Sequence, residues 1–379
     1  MRELLNHIFI EEASAEKYIQ FIHDGKIWIL PKDSIATAID MYQPSTFKGR
    51  MLKKKVIRKK KASKLLGTQE KSYKISDAIL KCIENAIGHD KFSVAGYMGD
   101  ETTWQNDKVT LQIYDDRRII AYMRVTENEK VANQFQHEVD TIKYLQEKGI
   151  DNIPYLSASG KESDFSFFVE TTKKPIGQKV KLPLEEEQMD FLKRIHDVTI
   201  QNMPYEETDF AKSVNYLKEH MADFTEEQQA IIAKGISKIE EKMKGERIDV
   251  TFAHGDFTPW NIYYTDDVIN VFDFEYSRRM MPEYLDAFHY ITQESRMGRH
   301  HEATGTVRFY GHHGKLLQEY VENPDFSYTC YLVWIISFYH ERSTENLDAI
   351  SDKFEYWTSV MEYLNDYEIV KIEKDDEEK

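Results

Sequence analysis

The feature that most constrains this chain lies between Val250 and Glu275. Val250 to Ala253 reads as a strand and is followed by His254-Gly255-Asp256-Phe257-Thr258-Pro259-Trp260-Asn261. Two further strands follow, Ile262 to Tyr264 and Val268 to Phe272, joined by a tight turn at Thr265-Asp266-Asp267 and ending at Asp273-Phe274-Glu275. Three polar side chains, Asp256, Asn261 and Asp273, therefore fall at strand ends, where loops on a rigid frame carry reactive groups. A plain turn with Asn261 and Asp273 capping strands is the structural alternative.

The trio suits phosphoryl transfer. A divalent cation bridging nucleotide phosphates calls for hard oxygen ligands, and a separate carboxylate must orient the attacking hydroxyl. Asp273 and Asn261 fit the metal and Asp256 fits the hydroxyl. An aspartate with a pKa of about 3.9 is a weak base. That suffices where the hydroxyl loses its proton late and orientation carries most of the rate.

A second pair follows from periodicity. Val131, Phe135, Glu138, Ile142 and Leu145 share one face of a helix expected from about Val131 to Lys148, with Gly149 closing it. Glu138 thus sits in an apolar stripe and demands a cation, for which Arg124 in Ala121-Tyr122-Met123-Arg124-Val125 is the candidate. In kinase-like folds such a pair aims the cation at the α and β phosphates. A purely structural ion pair is the alternative. A phosphate-covering loop is expected between the first two strands of this region, where Gly99, Thr102 and Thr103 offer backbone N–H groups and hydroxyls. An ordinary hairpin loop fits equally, and no Gly-x-x-x-x-Gly-Lys-Ser/Thr motif occurs.

His254 to Asn261, with Asp273 and Glu275, resembles the Brenner-type catalytic loop and metal motif of the aminoglycoside phosphotransferase and choline kinase family. Leu192-x-x-Ile195-His196 and Pro282-Glu283-Tyr284-Leu285-Asp286 extend the resemblance, which spans roughly 92–363. It implies an α+β, bilobal protein kinase-like fold, with a small β-rich N-lobe, a large helical C-lobe and, in this chain, an extra N-terminal unit. It implies ATP as donor, with GTP as an alternative, and Mg2+ held by Asn261 and Asp273. It further implies Asp256 as the catalytic group, and Arg124, Glu138, Glu170, Thr171, Gly99, Thr102 and Thr103 as nucleotide-binding positions. Val169-Glu170-Thr171 would offer backbone hydrogen bonds to the base, and Glu283, Asp286 and Glu294 would add negative charge near the acceptor. Arg124 stands where the family usually carries Lys, and an arginine fork does not replace an ammonium point charge.

The expected organisation is an extension over 1–88, an N-lobe over 89–172, a C-lobe over 173–372 and an acidic tail over 373–379. The extension should contain a hairpin turning at Asp24-Gly25 and an amphipathic stretch from Ile75 to Ile87. Strands are expected at Phe92 to Tyr97, Val109 to Tyr114, Ile119 to Val125 and Phe165 to Glu170. Helices are expected at Leu184 to Ile200, Phe210 to Met221 and Glu226 to Met243. Ten Lys or Arg fall between Lys48 and Lys64, and no Asp or Glu occurs from Met41 to Gln69. That run reads as a solvated basic linker or as a contact for an anionic surface.

The bulk composition narrows the classes. A net charge of -16 disfavours nucleic acid as a partner. Cys82 and Cys330 form no Cys-x-x-Cys spacing, so a disulfide framework and a cysteine zinc site are not expected. The amino terminus lacks the basic start and apolar stretch of a secretory signal. The apolar run Tyr328 to Tyr339 is short of a membrane span and reads as a buried helix. A cytoplasmic location is expected, with peripheral membrane contact as the alternative. His300-His301 and His312-His313 lack metal-site spacing and read as loop or surface residues. The acceptor would be a small molecule, an aminoglycoside, amino alcohol or sugar-like hydroxyl. A kinase of membrane-associated glycan precursors and a silent nucleotide-binding regulator are the rivals.

Overall fold

A computed structural model describes residues 2–44, 47–59, 67–100, 104–116, 118–297, 302–343 and 350–366. The chain divides into two units, Met1–Glu147 with Asp151–Lys179 and Tyr263–Glu275, and Lys148–Ile150 with Val180–Ile262 and Tyr276–Lys379. The first carries an eight-stranded sheet and the second is mostly helical, which is the α+β division expected.

The chain begins with α1 (Arg2–Ile8), β1 (Phe9–His23), β2 (Lys26–Pro31), α2 (Ile35–Ala38), α3 (Phe47–Lys59), β3 (Thr68–Ile75) and α4 (Asp77–Ile87). It continues with β4 (Ser93–Met98), β5 (Val109–Tyr114), β6 (Ile119–Thr126), α5 (Glu129–Glu147), β7 (Tyr155–Glu162) and β8 (Phe165–Thr171). The strands form one sheet in the order β3-β1-β2-β4-β5-β6-β8-β7, with every neighbouring pair antiparallel. Residues 1–88, expected as an extension, thus share a sheet with 89–172, because β2 pairs with β4 from Ile27↔Met98 to Ile29↔Gly96. The β1–β2 turn has Asp24 at φ 51 and Gly25 at φ 74, the two positive values that a type I′ hairpin requires.

The basic run differs from the expected linker. Its described part is the helix α3, with Leu52 and Val56 buried against Ile19, Phe21, Trp28 and Tyr42. Two apolar residues four apart give the helix a face to bury beside its basic positions. In α5 the stripe Val131, Phe135, Glu138, Val139, Ile142 and Leu145 is buried as its spacing predicts, and Gly149 follows the helix at φ 83.

The second unit contains α6 (Glu186–Thr199), β9 (Gln201–Pro204), α7 (Asp209–Glu219), α8 (Glu226–Met243) and β10 (Arg247–Ala253). β11 (Ile262–Thr265) and β12 (Val268–Val271), which from Tyr263 on belong to the first unit and interrupt the sequence of the second, pair with each other, and Asp266 at φ 50 and Asp267 at φ 61 turn between them. β13 (Arg278–Met281) pairs with β10, and α9 (Leu285–Met297), α10 (Ala303–His312), α11 (Gly314–Gln318), α12 (Pro324–Arg342) and α13 (Ser351–Asp366) complete the unit. Tyr328 to Phe338 of α12 is buried on every side, the mark of a central helix. No described helix is long and apolar enough to cross a membrane.

Candidate functional site

Arg124 is the centre of charge in the first unit. β6 carries it into a cavity of about 310 Å³ also lined by Gly99, Lys108, Glu170, Lys174 and Asp273. Alternation explains the placement: Arg124 pairs with Phe168 and Tyr122 with Glu170 across β6 and β8, so Tyr122, Arg124 and Glu170 share one face. Nη1 of Arg124 donates to Glu138 Oε2 at 2.6 Å, and Nη2 lies 3.0 Å from Asp273 Oδ1 and 3.9 Å from Glu170 Oε1. The expected Arg124–Glu138 pair is therefore present, and Asp273 joins it.

Burial works against the charge of Arg124, but Glu138, Asp273, Glu170 and Glu275 outweigh it and hold the guanidinium well above its ordinary pKa. Burial pushes the Glu138 carboxyl up while Arg124 opposes. Its contact with Arg124 and the Phe274 amide, which donates to Oε1 at 3.1 Å, favour its ionised form. Glu170 is held more loosely. Burial pushes its pKa up to about 7 against the pull of Arg124, and its buried Oε2 has no hydrogen-bond partner. One guanidinium cannot compensate three carboxylates, and the proton belongs on the most distant of them.

The loop expected to cover phosphates starts at Gly99, which lines the cavity. A Cβ there would come within 3.0 Å of Asn106, whose Nδ2 donates to Asp100 Oδ1 at 2.9 Å. Thr102 and Thr103 lie outside the described residues. Past the loop, Lys108 pairs with Glu275 at 2.5 Å. Thr171 does not line the cavity, and its hydroxyl donates to the Tyr155 carbonyl at 3.3 Å. Lys174 does, with its amine 5.4 Å from the centroid of the Phe272 ring. Burial lowers the Lys174 pKa, with Asp40 opposing. Neither Lys108 nor Lys174 lies in a motif that sequence reasoning could have picked out.

The His254–Asn261 loop of the second unit is built by different means. Gly255 has φ 81, and a Cβ would sit 2.3 Å from the Tyr276 carbonyl oxygen, so only glycine fits. Asp286 accepts the His254 amide at 2.6 Å and the Gly255 amide at 3.0 Å. Asp286 is buried, and so anchors the loop rather than adding exposed negative charge to it. The Asp256 amide donates to His254 Nδ1 at 3.2 Å, which puts the ring proton on Nε2.

Asp256 itself is held at both oxygens. Asn261 Nδ2 donates to Oδ2 at 2.8 Å, and His289 Nε2 donates to Oδ1 at 3.1 Å. His289, on α9, faces the Tyr331 hydroxyl through Nδ1 at 3.2 Å. With Nε2 donating, Nδ1 accepts. Sequence reasoning missed His289; its only signal is its place three residues after Asp286, one helical turn along α9. Glu283 pairs with His196, and burial pushes Glu294 up to about 7.

The fit to magnesium is one of donor chemistry. Asn261 uses its N–H donors on Asp256 Oδ2 and, at 2.9 Å, on the Asp256 carbonyl, which leaves its amide oxygen as the end suited to a hard cation. Asp273 supplies a carboxylate from the end of β12, at φ 75, a strained value for a non-glycine residue. No group of three or more His, Cys, Asp or Glu able to hold a metal occurs among the described residues. Mg2+ at nucleotide sites takes only one or two protein oxygens and completes its shell with phosphate oxygens and water. His312 is exposed and His313 Nδ1 bonds the Phe309 carbonyl at 2.9 Å, while His300 and His301 lie outside the described residues.

No family model matches the chain, and no curated protein matches it. Several solved structures do. Aminoglycoside phosphotransferase APH(2'')-Ib, ADP-bound, is 16% identical with a TM-score of 0.44, over 76% of this chain and 99% of that one. Amicoumacin kinase hAmiN, in complex with AMP-PNP, Ca2+ and Ami, is 15% identical with a TM-score of 0.45, over 77% and 93%. A thermostable mutant of aminoglycoside phosphotransferase APH(4)-Ia is 11% identical with a TM-score of 0.49, over 75% and 97%.

Proposed function

We propose that this chain is an ATP-dependent phosphotransferase that moves the γ-phosphoryl group to a hydroxyl of a small molecule. The observation that carries the reading is Arg124 bound at once by Glu138 and Asp273 on the wall of a cavity that also presents Gly99 and Lys174. An arginine fixed by a buried glutamate is positioned to meet phosphate oxygens in bidentate fashion. Asp273 and Asn261 would hold Mg2+, which when bound would offset the charge that develops on the phosphates.

Asp256 would orient the acceptor. Its carboxylate is fixed by Asn261 and His289 and forms no ion pair with a Lys or Arg among the described residues, so it can accept a hydroxyl hydrogen bond and then the proton. A hydroxyl on an aminoglycoside, amino alcohol or sugar fits this chemistry. The basic helix α3 favours a second reading within the same class, an acceptor carried on a membrane-associated glycan.

The test is transfer from γ-labelled ATP across those acceptors. We expect labelled product with at least one class, and a loss of at least about 1,000-fold in kcat for Asp256→Asn. A screen in which no acceptor is labelled and ATP does not bind would refute the reading.

A further inference from the structure

We propose that α3 is a docking surface for an anionic lipid bilayer. The helix has two unlike faces. Leu52 and Val56 are buried in the cluster with Phe21, Trp28 and Tyr42, while Phe47, Lys48, Arg50, Met51, Lys54 and Lys55 are exposed. Phe47 is 72% exposed and Met51 38%, four residues apart and so on one side of the helix. Four cations surround this pair in a stretch without a single acid, on a chain whose net charge is -16.

The charges alone would suit any polyanion, since phosphate-bearing polymers are held by lysine and arginine through electrostatics. The exposed Phe47–Met51 pair decides for a bilayer. An apolar edge flanked by cations gains from sinking into the boundary between headgroups and acyl chains, while the lysines meet anionic headgroups. A soluble polyanion offers that edge nothing.

The helix is fastened to the rest of its unit. Lys53 Nζ donates to the Tyr42 carbonyl at 2.7 Å, and Asp40 Oδ1 accepts the Gly177 amide at 2.7 Å. Met41, between those two tethers, lines the Arg124 cavity. A bilayer bound at α3 would therefore be linked through three consecutive residues to the cavity wall. The docking itself does not rest on the phosphotransferase reading, because it is measured without turnover.

Co-sedimentation of the full chain with vesicles tests it. Vesicles of phosphatidylglycerol in phosphatidylcholine should pellet the protein at low salt, and pure phosphatidylcholine should not. Phe47→Ser should lower the partition coefficient roughly tenfold through lost insertion. Lys54→Gln with Lys55→Gln should lower it about 30-fold, roughly fivefold per cation. Both changes are on the exposed face, and an unaltered thermal transition would confirm that the fold is intact. The proposal is overturned if the wild-type chain stays in the supernatant, or if Phe47→Ser binds vesicles as tightly as wild type. It is overturned equally if soluble heparin binds wild type and Phe47→Ser alike while the vesicles bind neither, which would make the face a polyanion site.

Discussion

The wall around Arg124 and the loop around Asp256 hold their carboxylates in opposite ways. At Arg124, Glu138 and Asp273 are compensated by a permanent charge at 2.6 and 3.0 Å, at the cost of desolvating all three groups. At Asp256, the oxygens meet an amide and an imidazole, donors that orient without a fixed positive charge. The first arrangement suits a place that must receive phosphates and keep its shape when they leave. The second suits a carboxylate that must remain able to take a proton, since an adjacent guanidinium would depress its basicity.

The comparison breaks most readily at Arg124. Arg124→Ala leaves Glu138 buried without its cation and should cost about 3–5 kcal/mol of stability. Thermal unfolding checks this, and Arg124→Lys should recover part of the loss. A variant as stable as wild type would mean that the neighbouring carboxylates are not ionised in the folded state.

Glu170 sharpens the same half. Its folded pKa of about 7 lies above the unfolded value of about 4.3, so the folded state holds a proton that the unfolded state releases first. The sign follows: stability is fully present below about pH 4.3 and is lost as pH rises through about 7, by ~4 kcal/mol in all. Glu170→Gln removes this titration, so its Tm should fall less than wild type between pH 5 and 8. Parallel pH profiles would show that Glu170 ionises normally.

On the other half, His289→Gln keeps a donor of similar reach but loses the geometry fixed by Tyr331. We expect about a tenfold fall in kcat with little change in KM for ATP, the pattern of a positioning residue. A rise in KM for ATP at constant kcat would instead tie His289 to nucleotide binding.

Much of both sites was legible in the sequence because each residue had a local reason to be noticed. Glu138 stood out as an acid in an apolar stripe, and Asp256, Asn261 and Asp273 followed from strand ends with fixed spacing. What stayed hidden depended on contacts distant in sequence. β7, Tyr155-Leu-Ser-Ala-Ser-Gly-Lys-Glu, is a largely exposed edge strand with no apolar alternation to show it. The joining of β2 to β4 is a matter of edge pairing, which no local pattern encodes. Lys174 and His289 are single residues whose surroundings come from other elements. In α3 the charge run concealed the helix, since Leu52 and Val56 are the two apolar side chains that it buries among the described ones.

The central claim is tested most directly by Asp256→Asn, with ATP binding and phosphoryl transfer measured on the same preparation. The account predicts ATP affinity within about twofold of wild type and kcat lower by at least about 1,000-fold. Transfer that survives the substitution, or ATP binding that vanishes with it, would contradict the assignment of Asp256 to the acceptor.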